Sequence, residues 1–158
     1  MTLAPSPPVV VTRETYASIV RDIAPMLDAH WQELAMFKDE IPLDVNWEAY
    51  NRGYDAGLLR AYGVRAGGTL IGYAVFQVVP RHAHYAHRWA INDVIWIHPN
   101  FRNFGVGSKL CEAYERDLAD GGPIVVVVET KAHSPALAAL LAAKQYLLMG
   151  SVFAKRIG

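Results

Sequence analysis

Apolar residues recur at helical spacing through the first third of the chain. Three valines at 9–11 predict a short strand, and Thr12 is the predicted N-cap of the helix that follows. After a proline that ends or kinks this helix, a second helix is predicted over 26–37. A third, short helix has Asp44 or Asn46 as its candidate N-cap. The apolar and aromatic residues on the predicted buried faces are Tyr16, Ile19, Val20, Ile23, Met26, Leu27, Trp31, Leu34, Trp47, Tyr50 and Tyr54.

From residue 58 the pattern changes to the β-branched and aromatic runs that are typical of strands. Two such runs, 58–65 and 69–79, flank a double glycine, and this arrangement predicts a β-hairpin whose turn has positive φ. A polar loop over 81–88 then leads to a strand that begins at residue 89 or 90 and ends at His98.

The last third alternates between helix and strand. A helix that opens after Gly105 and ends near Ala119 is predicted to bury one stripe of side chains. The strand predicted over 123–130 contains four consecutive valines, which is typical of a strand buried on both faces, and it should run parallel to the preceding strand with a right-handed crossover. Ser134 caps a further helix that ends near residue 144, and 146–157 are predicted to form a terminal strand or hairpin. The predicted stripe is Val106, Leu110, Tyr114 and Leu118.

Composition and charge favour one globular domain over 1–158. The chain has 53% apolar and 19% charged residues, with 15 basic against 15 acidic side chains, so it lacks the net charge expected for binding nucleic acid or an acidic membrane. Cys111 is the only cysteine, which excludes an intramolecular disulfide and suits a reducing cytosol. The apolar run at 1–11 lacks a basic segment and contains three prolines, so we expect neither a signal peptide nor a membrane span, and a cytoplasmic location.

The stretch over 93–110 predicts an anion site. It is a strand, a turn, and then a helix whose start is marked by Gly105 and Gly107. The first amides of a helix have no internal partner and lie at the positive end of the helix dipole, so a phosphate can accept from them. A dinucleotide-binding site would place its glycines at the first strand, and a P-loop would need Gly-Lys-Ser, whereas this chain has Gly107-Ser108-Lys109.

The predicted order of helices, a hairpin, a strand, the glycine-marked helix, a buried strand and a further helix is typical of the GNAT superfamily. The signature of that superfamily, which is Arg or Gln, two residues, Gly, one residue, and Gly or Ala, is matched by Arg102, Gly105 and Gly107. The chain resembles GNAT-type acyl-CoA N-acyltransferases over nearly its whole length. The resemblance implies an α/β (α+β) fold, a mixed, mostly antiparallel sheet with a central, splayed parallel strand pair, flanked by helices. It also implies transfer of acetyl from acetyl-CoA to a primary amine by direct attack in a ternary complex. Features that resemble small phage and prophage members, which would act in the host cytoplasm, are His30-Trp31-Gln32-Glu33, Leu43-Asp44, Tyr50, Gly72-Tyr73, His84-Tyr85 and Asn92-Asp93.

The resemblance also implies which residues bind CoA. Pantetheine would pair with the strand backbone, an amide near Ile97 would stabilise the oxyanion, and the helix start would cradle the pyrophosphate with Arg102 beside it. Asn103 stands where relatives often have Gly, and Asn tolerates left-handed φ. His133 replaces an Asn that often contacts pantetheine. The implied cofactor residues are Ile95, Trp96, Ile97, Arg102, Asn103, Phe104, Gly105, Val106, Gly107, Ser108 and His133.

Asp93 is the first candidate for the catalytic base, because it occupies the place of a Glu that in many relatives deprotonates the amine through water. The alternative role of Asp93 is to cap the strand or to bond the histidine loop. Asn92 is expected only to orient Asp93. His84 is the second candidate base, since an imidazole titrates near neutral pH. The loop histidines show no standard metal spacing, so we expect them to be solvated and we expect no metal site.

The acceptor residues predicted are His30 and Glu33, which share a helix face in the region that walls the acceptor pocket in this fold, together with Tyr85. An ion pair between the helix and the histidine loop is the alternative for His30 and Glu33. Leu141 stands where relatives have the Tyr that protonates the thiolate, so solvent, His133 or Tyr85 would supply that proton.

If nothing supplies this proton, the chain is a catalytically impaired CoA-binding protein that acts through protein contacts. A protein amine or a modified nucleobase stays open as the acceptor, and Arg81 and Arg88 leave weak nucleic-acid contact open. Cys111 is expected in the core rather than as an acyl carrier. The apolar terminal strand could pair with a second chain to form a homodimer.

Overall fold

The computed structural model of the chain describes residues 7–157, so most of the N-terminal run considered as a leader lies outside the described residues. Five strands form one sheet in the order β1-β2-β3-β4-β5, with antiparallel neighbours except for the parallel pair β4 and β5. The strands are β1 (Val9–Glu14), β2 (Leu59–Ala66), β3 (Thr69–Val79), β4 (Arg88–Ile97) and β5 (Ile124–Val127). The α-helices are α1 (Tyr16–Ile23), α2 (Leu27–Leu34), α3 (Trp47–Asp55), α4 (Val106–Ala119) and α5 (Pro135–Ala143). The predicted mixed, mostly antiparallel sheet with a parallel pair is confirmed.

The first strand is longer than its sequence pattern predicts. β1 pairs with β2 through Glu14, so Thr12 lies in the ladder opposite Gly63 and is not a helix cap. The N-cap of α1 is Thr15, whose side chain accepts from the Ser18 amide. The prediction for Thr12 was wrong because pairing with a distant strand outweighs a local capping preference. At α3 the cap is Asn46, one of the two candidates.

The helix predicted over 26–37 is shorter than expected. A short 3₁₀ turn containing Pro25 follows α1, and α2 begins at Leu27. It ends at Leu34, because Ala35 has extended backbone angles, with φ −73° and ψ 132°. None of the described helices has the length and apolar character needed to cross a membrane.

The C-terminal segment forms neither the strand nor the hairpin that was predicted. Residues 146–157 have no regular secondary structure, and the side chains of Leu148 and Phe153 are 93% and 92% exposed. β5 is therefore the edge of the described sheet, and its four residues are only partly buried. The prediction that this strand is buried on both faces was wrong, since all four of its residues are only partly buried.

The sheet separates two apolar clusters. The face that packs on α4 buries Tyr62, Val64 and Phe76 together with the stripe predicted for that helix, whose four members are all at most 1% exposed. The opposite face packs Tyr73 and Trp96 against α1 to α3. The N-terminal helices and α4 thus lie on opposite faces of β4, the strand that both layers share.

β4 changes its partners at its middle. It pairs with β5 only over Arg88–Ile91, and beyond that point the Asn92 side chain bridges to the backbone of Glu129, accepting from its amide at 2.6 Å and donating to its carbonyl at 3.3 Å. On the other side, β3 pairs with Asn92 and then with Val94, so Asp93 is the extra residue of a β-bulge. Bulges re-aim a side chain, and this one lies where the parallel ladder ends.

Candidate functional site

Two cavities meet where β4 and β5 separate. The helix-side cavity, of about 310 Å³, lies between the sheet and α1 to α3. The glycine-side cavity, of about 250 Å³, lies between β4, α4 and α5. Both are lined by Leu34, Ile95, Ser134 and Leu137, so they adjoin at the centre of the molecule. A ligand in one cavity can therefore reach a ligand in the other.

The glycine-side cavity contains an anion site at the start of α4. Gly105 is the N-cap and has φ +69°, a left-handed conformation that favours glycine. The first backbone bond of the helix joins the Lys109 amide to the Gly105 carbonyl at 3.1 Å. Within residues 7–157, the amides of 103–108 donate to no protein acceptor, which leaves several donors at the positive end of the helix dipole.

Two neighbouring residues clarify why this helix start is glycine-rich. Asn103 does not have positive φ, so the turn does not use the tolerance of Asn for that conformation; Gly105 is the left-handed residue here. Gly107 serves helix packing, since a Cβ there would lie 2.8 Å from Cδ2 of Leu140 on α5. The two glycines therefore have different functions, one in the turn and one in the close approach of α5.

Arg102 and Glu33 bind each other. The Arg102 Nη1 and Nη2 atoms donate to the two carboxylate oxygens of Glu33 at 2.6 and 2.7 Å, and Nε donates to the Ile97 carbonyl at 2.8 Å. Trp96 Nε1 also donates to Glu33 at 2.8 Å. The Arg102 guanidinium holds the pKa of the Glu33 carboxyl below its usual range. This cluster ties α2 to the end of β4, and His133 joins it through its Nε2, 3.0 Å from the Glu33 carbonyl.

Asp93 is exposed and lines the helix-side cavity. Its Oδ2 accepts a hydrogen bond of 2.5 Å from the Tyr50 hydroxyl. Burial and the neighbouring carboxylate raise the pKa of Tyr50 far above its usual range, so the phenol keeps its proton and remains the donor. The sequence marked Tyr50 only as a helix residue and a subgroup feature. Its proximity to Asp93 had no local signal.

His30 lines the same cavity as a neutral side chain. Its ring stacks on Trp96 with centroids 5.7 Å apart, and its Nδ1 lies 2.6 Å from the Tyr73 hydroxyl. Burial lowers the pKa of His30 to about 4. At neutral pH the imidazole therefore carries no charge that would repel an ammonium group.

His84 and Tyr85 lie outside both cavities. They belong to the loop 81–87, where the rings of His82 and Tyr85 pack on Trp89 at 4.5 and 5.5 Å. That loop precedes β4, whereas the cavities lie along its second half. No group of three or more His, Cys, Asp or Glu side chains in residues 7–157 could hold a metal ion.

Ser134 is a site residue that the sequence marked only as a helix cap. It lines both cavities, and it caps α5 without a side-chain hydrogen bond to the helix. Leu141, at the position where relatives carry a Tyr, is 6% exposed and lines neither cavity. A hydroxyl that lines both cavities therefore comes from the start of α5 and not from its end.

The profile of the Acetyltransferase (GNAT) family matches residues 23–143. The chain belongs to this family. The match includes both cavities' main elements, α2 to α5 and β2 to β5. Among curated proteins, none matches the sequence.

Solved structures confirm the GNAT fold. A ribosomal-protein-alanine N-acetyltransferase from Brucella melitensis biovar Abortus 2308 has a TM-score of 0.72 at 18% identity, over 96% of this chain and 100% of that one. An aminoglycoside acetyltransferase from an uncultured soil metagenomic sample, solved with sisomicin, has a TM-score of 0.75 at 10% identity, over 95% of both chains. A protein from Clostridium acetobutylicum described as a predicted acetyltransferase and solved with acetyl-CoA has a TM-score of 0.66 at 8% identity, over 94% of this chain and 96% of that one.

Proposed function

We propose that this GNAT protein transfers acetyl from acetyl-CoA to a primary amine by direct attack in a ternary complex. The observation that carries the proposal is the junction of the two cavities, one with a helix-start anion site and the other with an exposed carboxylate. Acetyl-CoA supplies an acetyl group activated as a thioester.

The glycine-side cavity suits CoA in chemistry and in shape. The free amides of 103–108 can bind a pyrophosphate, because they combine unpaired donors with the helix dipole. On the side where β5 has left, residues 93–97 of β4 pair with no strand, so pantetheine can add there as an extended chain would. Arg102 already donates to Glu33 and Ile97, and we assign it to hold the turn in place beside the pyrophosphate.

The helix-side cavity supplies the base. An amine at neutral pH is mostly ammonium, and Asp93 can take its proton directly or through one water. The amine nitrogen then bonds to the acetyl carbon as the carbon–sulfur bond breaks, and the thiolate takes up a proton. Water provides that proton, directly or relayed through the Ser134 hydroxyl, because Leu141 has no proton to give, Tyr85 lies elsewhere and His133 Nε2 lies at the Glu33 carbonyl.

The test is Asp93→Asn, measured as thiol release from acetyl-CoA across a panel of amines. We expect kcat to fall by about 100-fold, and its dependence on pH to change, since general-base catalysis typically contributes at least this factor. Asp55→Asn is the control, because Asp55 is exposed at the end of α3 and lines neither cavity.

Other outcomes distinguish the alternatives. An unchanged rate in Asp93→Asn would remove the base assignment. Calorimetry on the wild type should show acetyl-CoA binding, and its absence at millimolar ligand would contradict the proposal as a whole. Binding without thiol release for any amine would favour the CoA-binding protein that acts through protein contacts.

A second copy of the chain is the protein partner that we propose. Within residues 7–157 the outer edge of β5 pairs with no strand, and the segment 147–157 exposes Leu148, Phe153 and Ile157 almost fully. Free strand edges and apolar segments favour pairing with another chain. We expect light scattering to show a dimer of the wild type at micromolar concentration. We also propose a cytoplasmic location, which the free, buried Cys111 suits. A monomer would contradict this assembly.

A further inference from the structure

We infer that the acceptor is a monoamine with an apolar, aromatic-sized body, the class of the arylalkylamines, and not a polyamine or a polyhydroxylated sugar. This inference rests on the proposed function, because it concerns the occupant of the helix-side cavity.

The first argument is the distribution of charge around the helix-side cavity. Its charged side chains, Asp93, Glu129 and Lys131, all come from β4 or from the segment after β5. The walls from α1 to α3, β2 and β3 contain no charged residue except His30, which burial keeps neutral at neutral pH. The charged groups of the cavity thus lie on the side formed by β4 and the segment after β5, and the rest of its lining is uncharged.

The second argument is that the hydroxyls in the wall are already bonded. Tyr16 donates to the Trp47 carbonyl at 2.9 Å and Tyr54 donates to the Glu14 carbonyl. The hydroxyls of Tyr50 and Tyr73 bond Asp93 and His30, as described above. A ligand with many hydroxyls would lose its bonds to water and find few replacements here, whereas an aromatic ring would contact the side chains of Trp31, Trp47 and Leu27 without that loss.

The third argument is size and valence. A cavity of about 310 Å³ lies at the lower end of the range for small-molecule sites, roughly 300 to 1,000 Å³, which suits a single ring system on a short chain. On the charged side, Asp93 or Glu129 can receive one ammonium, while Lys131 opposes a second cation nearby. A polycation would have to place its other charges against the apolar walls.

The experiment compares phenethylamine and tryptamine with spermidine and sisomicin in the thiol-release assay with acetyl-CoA. We expect kcat/KM for the two arylalkylamines to exceed that for the other two amines by at least tenfold. A preference for spermidine or sisomicin would overturn the inference while leaving the proposed acetyl transfer intact.

A variant pair tests the wall itself. Leu43 lines the helix-side cavity and is 36% exposed, whereas Ile41 is 42% exposed and lines neither cavity. Leu43→Gln should raise KM for tryptamine about fivefold, since it removes apolar contact of about 1 kcal/mol, and it should raise KM for spermidine by a smaller factor. Ile41→Gln should change neither value, and equal effects of the two variants would count against the inference.

A binding measurement separates this inference from the proposed function. If no amine supports thiol release, the proposed function fails, and tryptophan fluorescence still reports binding because Trp31 and Trp47 line the cavity. Tighter binding of phenethylamine than of spermidine, in the presence of CoA, would then support the apolar site. Equal or weaker binding of phenethylamine would overturn it.

Discussion

Between pH 7 and pH 5, acidification should destabilise this protein through one side chain, His30. In the folded chain, burial lowers the pKa of His30 to about 4, against 6.5 in its ordinary state. The unfolded chain therefore binds more protons than the folded chain between these two values, and stability falls as the pH decreases through that window. The total decrease in the unfolding free energy, reached below pH 4, is about 3 kcal/mol. About 2 kcal/mol of this decrease occurs between pH 7 and pH 5.

Glu33, the charged neighbour of His30 on α2, acts in a different window. Its pKa is lowered below 4.5 by Arg102, so the stability that it contributes is lost only as the pH falls below that value. The interval from pH 7 to pH 5 thus isolates the imidazole from this carboxylate.

The assay is urea unfolding, followed by tryptophan fluorescence, at pH 7, 6 and 5. The wild type should lose about 2 kcal/mol of unfolding free energy over this interval, and His30→Gln, which cannot titrate, should lose that much less. His87→Gln is the control, because it removes an exposed loop histidine and should keep the wild-type dependence on pH. If His30→Gln loses as much stability on acidification as the wild type, the reasoning from burial is refuted.

Three further substitutions test separate features. Gln145 has φ +65°, and Gln145→Gly should raise the unfolding free energy by about 1 kcal/mol, since left-handed backbone is costly for a residue with a Cβ; no gain in thermal unfolding would contradict this. Gly72→Ala should lower the unfolding free energy, measured in urea, by about 2 kcal/mol, because its Cβ would lie 2.9 Å from a backbone oxygen of β4. Gly150→Ala is the control and should leave the unfolding free energy unchanged, because a Cβ there meets nothing within 4 Å. Arg102→Lys keeps the charge but loses the paired contacts to Glu33, so KM for acetyl-CoA should rise several-fold, and an unchanged KM would show that the turn does not need this clamp.

Local patterns in the sequence predicted the order of the elements and the helix start at the anion site. The stripe of α4 and the double-glycine hairpin follow from side-chain period and turn chemistry, which act over a few residues. Gly105 could be located for the same reason, since a left-handed residue before a helix is a local requirement.

Only the tertiary structure decided which side chains meet. Glu33 and Arg102 are 69 positions apart, and Tyr50 and Asp93 are 43 apart, so no spacing in the chain links them. The edges of the sheet also depend on contacts between distant segments. Pairing with β2 extended β1 beyond its apolar run, and residues 146–157 form no strand, so β5 lies at the edge of the described sheet. Backbone preferences are set by neighbours in sequence, whereas ion pairs, burial and edge strands depend on segments that become neighbours only after folding.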